Sequence, residues 1–102
     1  MAAGQTKSLA ELGLTAQGGR RAEITGLSVD SREVRKGHLF AALPGTKVHG
    51  GDFIQYALRM GAAAILTDAR GARLAADELS TSDAALILAE DPRQTLAYAA
   101  AL

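Results

Sequence analysis

The chain has 102 residues, enough for one domain with a real but small core. Apolar residues make up 48%, much of it alanine, and aromatic residues only 4%, so little area is buried per residue and modest stability is expected. Eleven basic and eleven acidic side chains cancel, which leaves no electrostatic case for nucleic acid or an anionic membrane, and the lack of cysteine excludes a disulfide framework or a thiolate metal site.

Met1 to Ser8 contains no apolar core of a secretory signal, and no apolar run approaches membrane-spanning length. A soluble cytoplasmic protein is expected. Residues 1–7 are expected to be disordered, with 8–102 as a single unit. Ser8-Leu9-Ala10-Glu11 has the form of a capping box and predicts a short helix ending near Gly13. Gln17 to Arg20 is a loop. Ala22 to Val29 reads as one or two short strands around Gly26.

Asp30-Ser31-Arg32 ends that strand, and Gly37 supplies a positive φ in the turn Arg35 to His38. Leu39 to Leu43 is a continuous apolar run, the mark of a strand covered on both faces, and Pro44-Gly45 closes it. Asp52 is expected to cap a helix with Gln55 as its reciprocal partner. Phe53, Ile54, Ala57, Leu58 and Met60 form that helix's apolar stripe, and Gly61 stops it. Ala62 to Thr67 is a second buried strand. Ala69 to Leu79 is a weaker helix diluted by Gly71, and Ala84 to Ala89 is a third strand. Asp91 as cap and Pro92 as first residue start a last helix, which reaches Leu102 without a stop signal. That run-on suggests a further domain beyond it. The alternation predicts an α/β fold: a small, mostly parallel or mixed sheet with flanking helices.

Catalytic signatures are absent. There is no G-x-x-x-x-G-K-[ST] cradle, no G-x-G-x-x-G after a strand and no G-x-S-x-G. His38 and His49 have no nearby second ligand in the sequence, so neither a catalytic nor a metal-binding residue is predicted. A binding loop remains. The Ser31 hydroxyl at a strand end could meet a ligand or make a local turn bond. Asp30 and Arg32 could be ligand groups, or a turn cap and an ion-pairing stem. Thr46-Lys47-Val48 follow the carboxyl end of a strand, where ligands of open α/β sheets collect. Lys47 there is a phosphate contact or a solvated lysine. The N–H groups of Gly45 to Lys47 could face an anion. Composition and spacing go no further than binding of a small molecule or a partner.

The run Val29-Asp30-Ser31-Arg32-Glu33-Val34, then Gly37 to Gly45, then Gly50, Phe53-Ile54, Ala57 and Gly61-Ala62-Ala63-Ala64, resembles the N-terminal domain of the Mur ligases, which build the peptide stem of peptidoglycan. The likeness covers roughly residues 23–102. Leu43-Pro44-Gly45 and Asp91 to Ala97 are in the style of the tripeptide-synthetase branch, while the dipeptide-adding branch shares the Asp-Ser-Arg, Leu-Phe and Gly-Ala-Ala elements. The resemblance implies part of a cytoplasmic, ATP-dependent acid–amino-acid ligase of cell-wall biogenesis. In such enzymes this domain holds the UDP end of UDP-N-acetylmuramoyl-L-alanyl-D-glutamate. The next domain carries ATP, magnesium and a carbamylated lysine, and the last selects diaminopimelate or lysine. The same resemblance implies uridine-side contacts from Val29 and Ser31 and a second contact segment at Thr46, Lys47 and Val48. A monomer is expected, and the missing phosphate cradle and metal site predict no ligation by this chain alone. The family commonly has aspartate where this chain has His49. A reading from a different class is a non-catalytic α/β module whose loop meets a protein.

Overall fold

The computed structural model describes residues 6–102. The apolar run after Gly37 forms β4 (His38–Ala42), whose side chains alternate between two cores. Leu39 and Ala41 point into one, Phe40 and Ala42 into the other. Four strands pair side by side in the order β3 (Gly26–Ser28), β4, β5 (Ala64–Thr67), β6 (Ala85–Leu88). Every pairing is parallel, with Leu39 opposite Leu27 on one side and Ala64 on the other. A separate antiparallel pair joins β1 (Lys7–Ser8) to β2 (Glu23–Ile24).

Each connection moves one place across the sheet in the same direction. Constant crossover handedness then puts all of them on one face. Val34 after β3, Ile54 and Ala57 of α1 (Ile54–Arg59), and Ala75 between α2 (Ala69–Leu74) and α3 (Ala76–Ser80) pack there on Phe40, Ala42 and Ile65. The opposite face is covered by Ala99 and Leu96 of α4 (Pro92–Ala101) and by Leu9, Leu12, Leu14 and Ala16. The apolar runs at 39–43, 62–67 and 84–89 form the neighbouring strands β4, β5 and β6, with β6 at the edge of the sheet.

Four local expectations are corrected. Residues 1–5 of the expected disordered tail lie outside the described residues, but Lys7 is paired in β1 opposite Ile24. The capping box forms, with Ser8 N–H to Glu11 Oε1 at 2.8 Å and Glu11 N–H to Ser8 Oγ at 3.1 Å, yet no helix grows from it. Gly13 at φ 73° turns the chain at once, and the Leu14 N–H to Leu9 and Gly13 N–H to Ala10 bonds close the turn like a helix end. Asp52 caps nothing. A 3-10 turn, Gly50–Phe53, precedes α1, and its capping side chain is His49. That turn advances about three residues per revolution rather than 3.6, which rotates Phe53 away from the core stripe. Ile54 and Ala57 are buried as expected, whereas Phe53 and Met60 are exposed. Finally, the segment 69–79 is two short helices meeting at Ala75, whose backbone leaves helical geometry. The last helix starts as predicted: Asp91 Oδ1 accepts from Gln94 N–H at 3.1 Å, with Pro92 in the first turn.

Candidate functional site

Beyond Ser28 and Ala42, the carboxyl ends of β3 and β4 diverge around a cleft of about 730 Å³. Phe40 lies at its base, while Val29, Ser31, Val48, Phe53 and Tyr56 stand around it. Val29 is 59% exposed, Val48 55%, Tyr56 46% and Phe53 44%. Large apolar side chains gathered around an open concavity, and left uncovered, mark a surface that binds something.

One wall is built by an aspartate. Asp30 caps the 3-10 turn Ser31–Glu33, its Oδ1 accepting from Arg32 N–H at 2.9 Å. Arg32 then folds its guanidinium back on the same carboxylate, with Nε donating to Oδ1 at 3.0 Å and Nη2 to Oδ2 at 2.7 Å. The Arg32 side chain, and after it the Arg32 backbone N–H, hold the Asp30 carboxyl down at about 2. Asp30 thus makes the turn bond and Arg32 pairs with it, both at the edge of the cleft, and the Ser31 hydroxyl has no hydrogen-bond partner among the described residues.

The other wall is a hairpin. Gly50 N–H bonds Leu43 at 2.7 Å, Gly45 N–H bonds Val48 at 3.1 Å, and Pro44 bridges His49. This returns Val48 to the cleft and leaves Thr46 and Lys47 exposed at the tip. Of the five residues expected at a site, Val29, Ser31 and Val48 therefore line one cleft, and Thr46 and Lys47 stand beyond its lining. The anion cradle expected at Gly45 to Lys47 is smaller than foreseen, because the Gly45 N–H is used inside the hairpin.

His49, which the sequence leaves without an assigned role, is held by its surroundings. It is 4% exposed, accepts from Gly51 N–H at Nδ1 (2.7 Å) and faces Asp68 Oδ1 with Nε2 (2.8 Å). Asp68 caps α2, its Oδ1 also accepting from Gly71 N–H at 2.8 Å. Burial pushes the Asp68 carboxyl up, but the Gly71 N–H and the His49 bond outweigh it and hold it below the usual carboxylate value. The Asp68-x-x-Gly71 cap is readable in sequence. Its link to a histidine nineteen residues away is not. Among the described residues no His, Cys, Asp and Glu cluster could hold a metal ion, and no helix is long and apolar enough to cross a membrane.

These features define an α/β domain built on a parallel sheet, with an open apolar cleft, edged by the Ser31 hydroxyl, at the carboxyl ends of its first two sheet strands. The family described as Mur ligase family, catalytic domain, matches residues 23–102, and the chain belongs to the Mur ligase family. It is 46% identical over 91 residues, 89% of its length, to the UDP-N-acetylmuramoyl-L-alanyl-D-glutamate--2,6-diaminopimelate ligase of Streptomyces coelicolor, and 44% identical over 80% of its length to that of Streptomyces avermitilis. It spans 17% and 15% of the lengths of those relatives. Among solved structures, MurF ligase from Thermotoga maritima in complex with ADP superposes on 72% of this chain and 15% of its own, with a TM-score of 0.56 and 36% identity. MurF from Acinetobacter baumannii covers 95% of this chain and 21% of its own at a TM-score of 0.70; at 17% identity it shows the shared fold.

Proposed function

We propose that this chain is the substrate-anchoring domain of an ATP-dependent amide ligase of peptidoglycan synthesis, one that extends UDP-N-acetylmuramoyl-L-alanyl-D-glutamate by diaminopimelate or lysine. The observation that carries the reading is the meeting of Val29, Ser31 and Val48 on one cleft, in a chain 46% identical to a ligase whose name specifies that substrate and diaminopimelate. The cleft suits a nucleoside diphosphate. Val29, Val48 and the exposed ring of Phe53 or Tyr56 offer an apolar slot for a flat base. Ser31 offers a hydroxyl to a polar edge or a phosphate oxygen. Thr46 and Lys47 at the hairpin tip have free backbone N–H groups among the described residues, and Lys47 adds a positive charge for the rest of a diphosphate. Residues 8–102 act as one handle. Binding energy gathered here positions a carboxylate that reacts elsewhere.

ATP and magnesium belong to the proposed parent enzyme and not to this unit. The described residues contain neither the G-x-x-x-x-G-K-[ST] loop of an ATP site nor a metal-ligating cluster, and no step of the chemistry is assigned to them. The chain acts in the cytoplasm and as a monomer on this reading. Titration of UDP-N-acetylmuramoyl-L-alanyl-D-glutamate against backbone amide resonances tests it. Shifts concentrated at residues 29–32 and 45–49 are expected. No shift at millimolar ligand would refute it and favour a protein-interaction module.

A second reading, the dipeptide-adding branch, is supported by the 36% identity to the Thermotoga maritima structure. The curated relatives at 46% and 44% favour the first. Ligation assays on the parent enzyme with UDP-N-acetylmuramoyl dipeptide and tripeptide acceptors separate the two.

A further inference from the structure

A buried imidazole is tolerated only when both ring nitrogens are satisfied. Gly51 N–H can only donate, so Nδ1 of His49 is the bare nitrogen; Nε2 carries the hydrogen and donates to Asp68 Oδ1. The ring therefore spans from the foot of the Pro44–His49 hairpin to the first turn of α2. The surrounding space permits no looser fit. A Cβ on Gly51 would come within 2.7 Å of Gly71 Cα, and one on Gly71 would strike Thr67 Oγ1 and reach 2.8 Å from His49 Cε1. Backbone lies directly on backbone, and the imidazole fills what is left.

His49 directly follows Val48, which lines the cleft across from the turn carrying Ser31. Among the described residues, the hairpin's other side-chain hydrogen bond is an exposed one, Arg93 Nη2 to the Pro44 carbonyl at 3.2 Å. We propose that His49 is a positioning residue: its clamp on Asp68 seats the hairpin so that Val48 and the tip residues face Ser31 at ligand-binding distance. The inference rests on reading the cleft as the UDP-sugar site. Without the clamp the hairpin samples other positions, and apparent affinity falls by the fraction of molecules still seated.

Two variants cut the clamp from opposite ends while sparing local structure. In His49→Asn, the shorter side chain still accepts from Gly51 N–H but does not reach Asp68. In Asp68→Ser, the hydroxyl still caps α2 but does not reach His49. Asp68→Asn keeps an oxygen for both donors and serves as the conservative rescue. The full 102-residue chain is compared by imidazole nitrogen resonances, by amide exchange at residues 45–50 without ligand, and by affinity for UDP-N-acetylmuramoyl-L-alanyl-D-glutamate. Expected are a bare Nδ1 in the parent chain, faster exchange in the hairpin of both cutting variants, and affinity about tenfold weaker if one molecule in ten stays seated, with Asp68→Asn restoring both. Should one cutting variant fail to fold, the other decides. A protonated Nδ1, or a folded cutting variant with parental hairpin exchange and affinity, overturns the proposal; so does a lowered melting temperature with unchanged affinity. If the parent chain binds no ligand, the functional reading fails, and hairpin exchange alone still decides whether the clamp holds.

Discussion

Asp30 and Arg32, two residues apart, close a ring around the residue between them. The Arg32 backbone N–H, Nε and Nη2 all donate to the Asp30 carboxylate, at 2.9, 3.0 and 2.7 Å. Serine at a turn usually spends its hydroxyl on the backbone. Here Asp30 caps the turn, and the Ser31 hydroxyl, at the edge of the cleft, makes no hydrogen bond among the described residues.

Ser31→Ala is therefore expected to leave the melting temperature nearly unchanged. Binding of UDP-N-acetylmuramoyl-L-alanyl-D-glutamate should weaken by about 0.5–1.5 kcal/mol if the hydroxyl meets a neutral group, or about 1.5–3 kcal/mol if it meets a phosphate. Calorimetric titration measures it. Lost stability with unchanged affinity would reverse the assignment.

The Asp30 ring has a pH signature. Its folded value of about 2 lies below the ordinary 3.8, so the ionised carboxylate favours the native turn above that ordinary value. The contribution is lost as pH falls from about 3.8 through about 2. A carboxylate titration followed by NMR should find a midpoint near 2, and in Arg32→Ala a midpoint part-way back towards 3.8, since the backbone N–H remains. An unmoved midpoint would show that the guanidinium does not hold it.

The two phenylalanines should behave as opposites. Phe40 is 1% exposed at the centre of β4, so Phe40→Ala should cost about 3–5 kcal/mol in reversible denaturation. Phe53 is 44% exposed beside the cleft, so Phe53→Ala should cost less than about 1 kcal/mol and weaken ligand binding instead. Equal losses of stability would mean the cleft wall is core.

Gly71→Ala tests the packed backbones. In an open helix interior the change gains about 1 kcal/mol. Here the new methyl would run into Thr67 Oγ1 and the His49 ring, and overpacking of that kind costs about 1–3 kcal/mol. Denaturant unfolding should show net destabilisation; a stabilised variant would mean the slot yields easily.

The 102-residue chain is expected neither to hydrolyse ATP nor to join amino acids to the UDP-sugar peptide. Phosphate release and product formation measure this directly, and turnover of either kind would contradict an anchoring role.

Strands β4, β5 and β6 were legible because each is a short apolar run ended by proline, glycine or a polar loop, and burial leaves little choice for such a run, whereas the polar pair Lys7–Ser8 of β1 gave no such signal. The cap at Asp91-Pro92 was legible for a local reason: its partners are three residues apart. Phe53 was misplaced because the stripe was counted at 3.6 residues per turn through a segment that winds as a 3-10 turn. The capping box at Ser8 formed but did not propagate, because one turn of helix cannot outlast a glycine at positive φ. At the site, Val29, Ser31 and Val48 came from family likeness, and the cleft brings them together. His49 left no local trace, since its meaning lies in Asp68, and a contact across nineteen residues appears only after the chain has folded.

The strand that leads to Ser31 is an outermost one, three residues long and laddered to β4 alone. Among the described residues its outer flank has no neighbour in the sheet. A molecule gripping the Ser31 turn on one side and the hairpin after β4 on the other would bolt this border to the interior. Substrate would then serve as a missing brace, and the border of the sheet should be the first part of the molecule to quieten when it arrives.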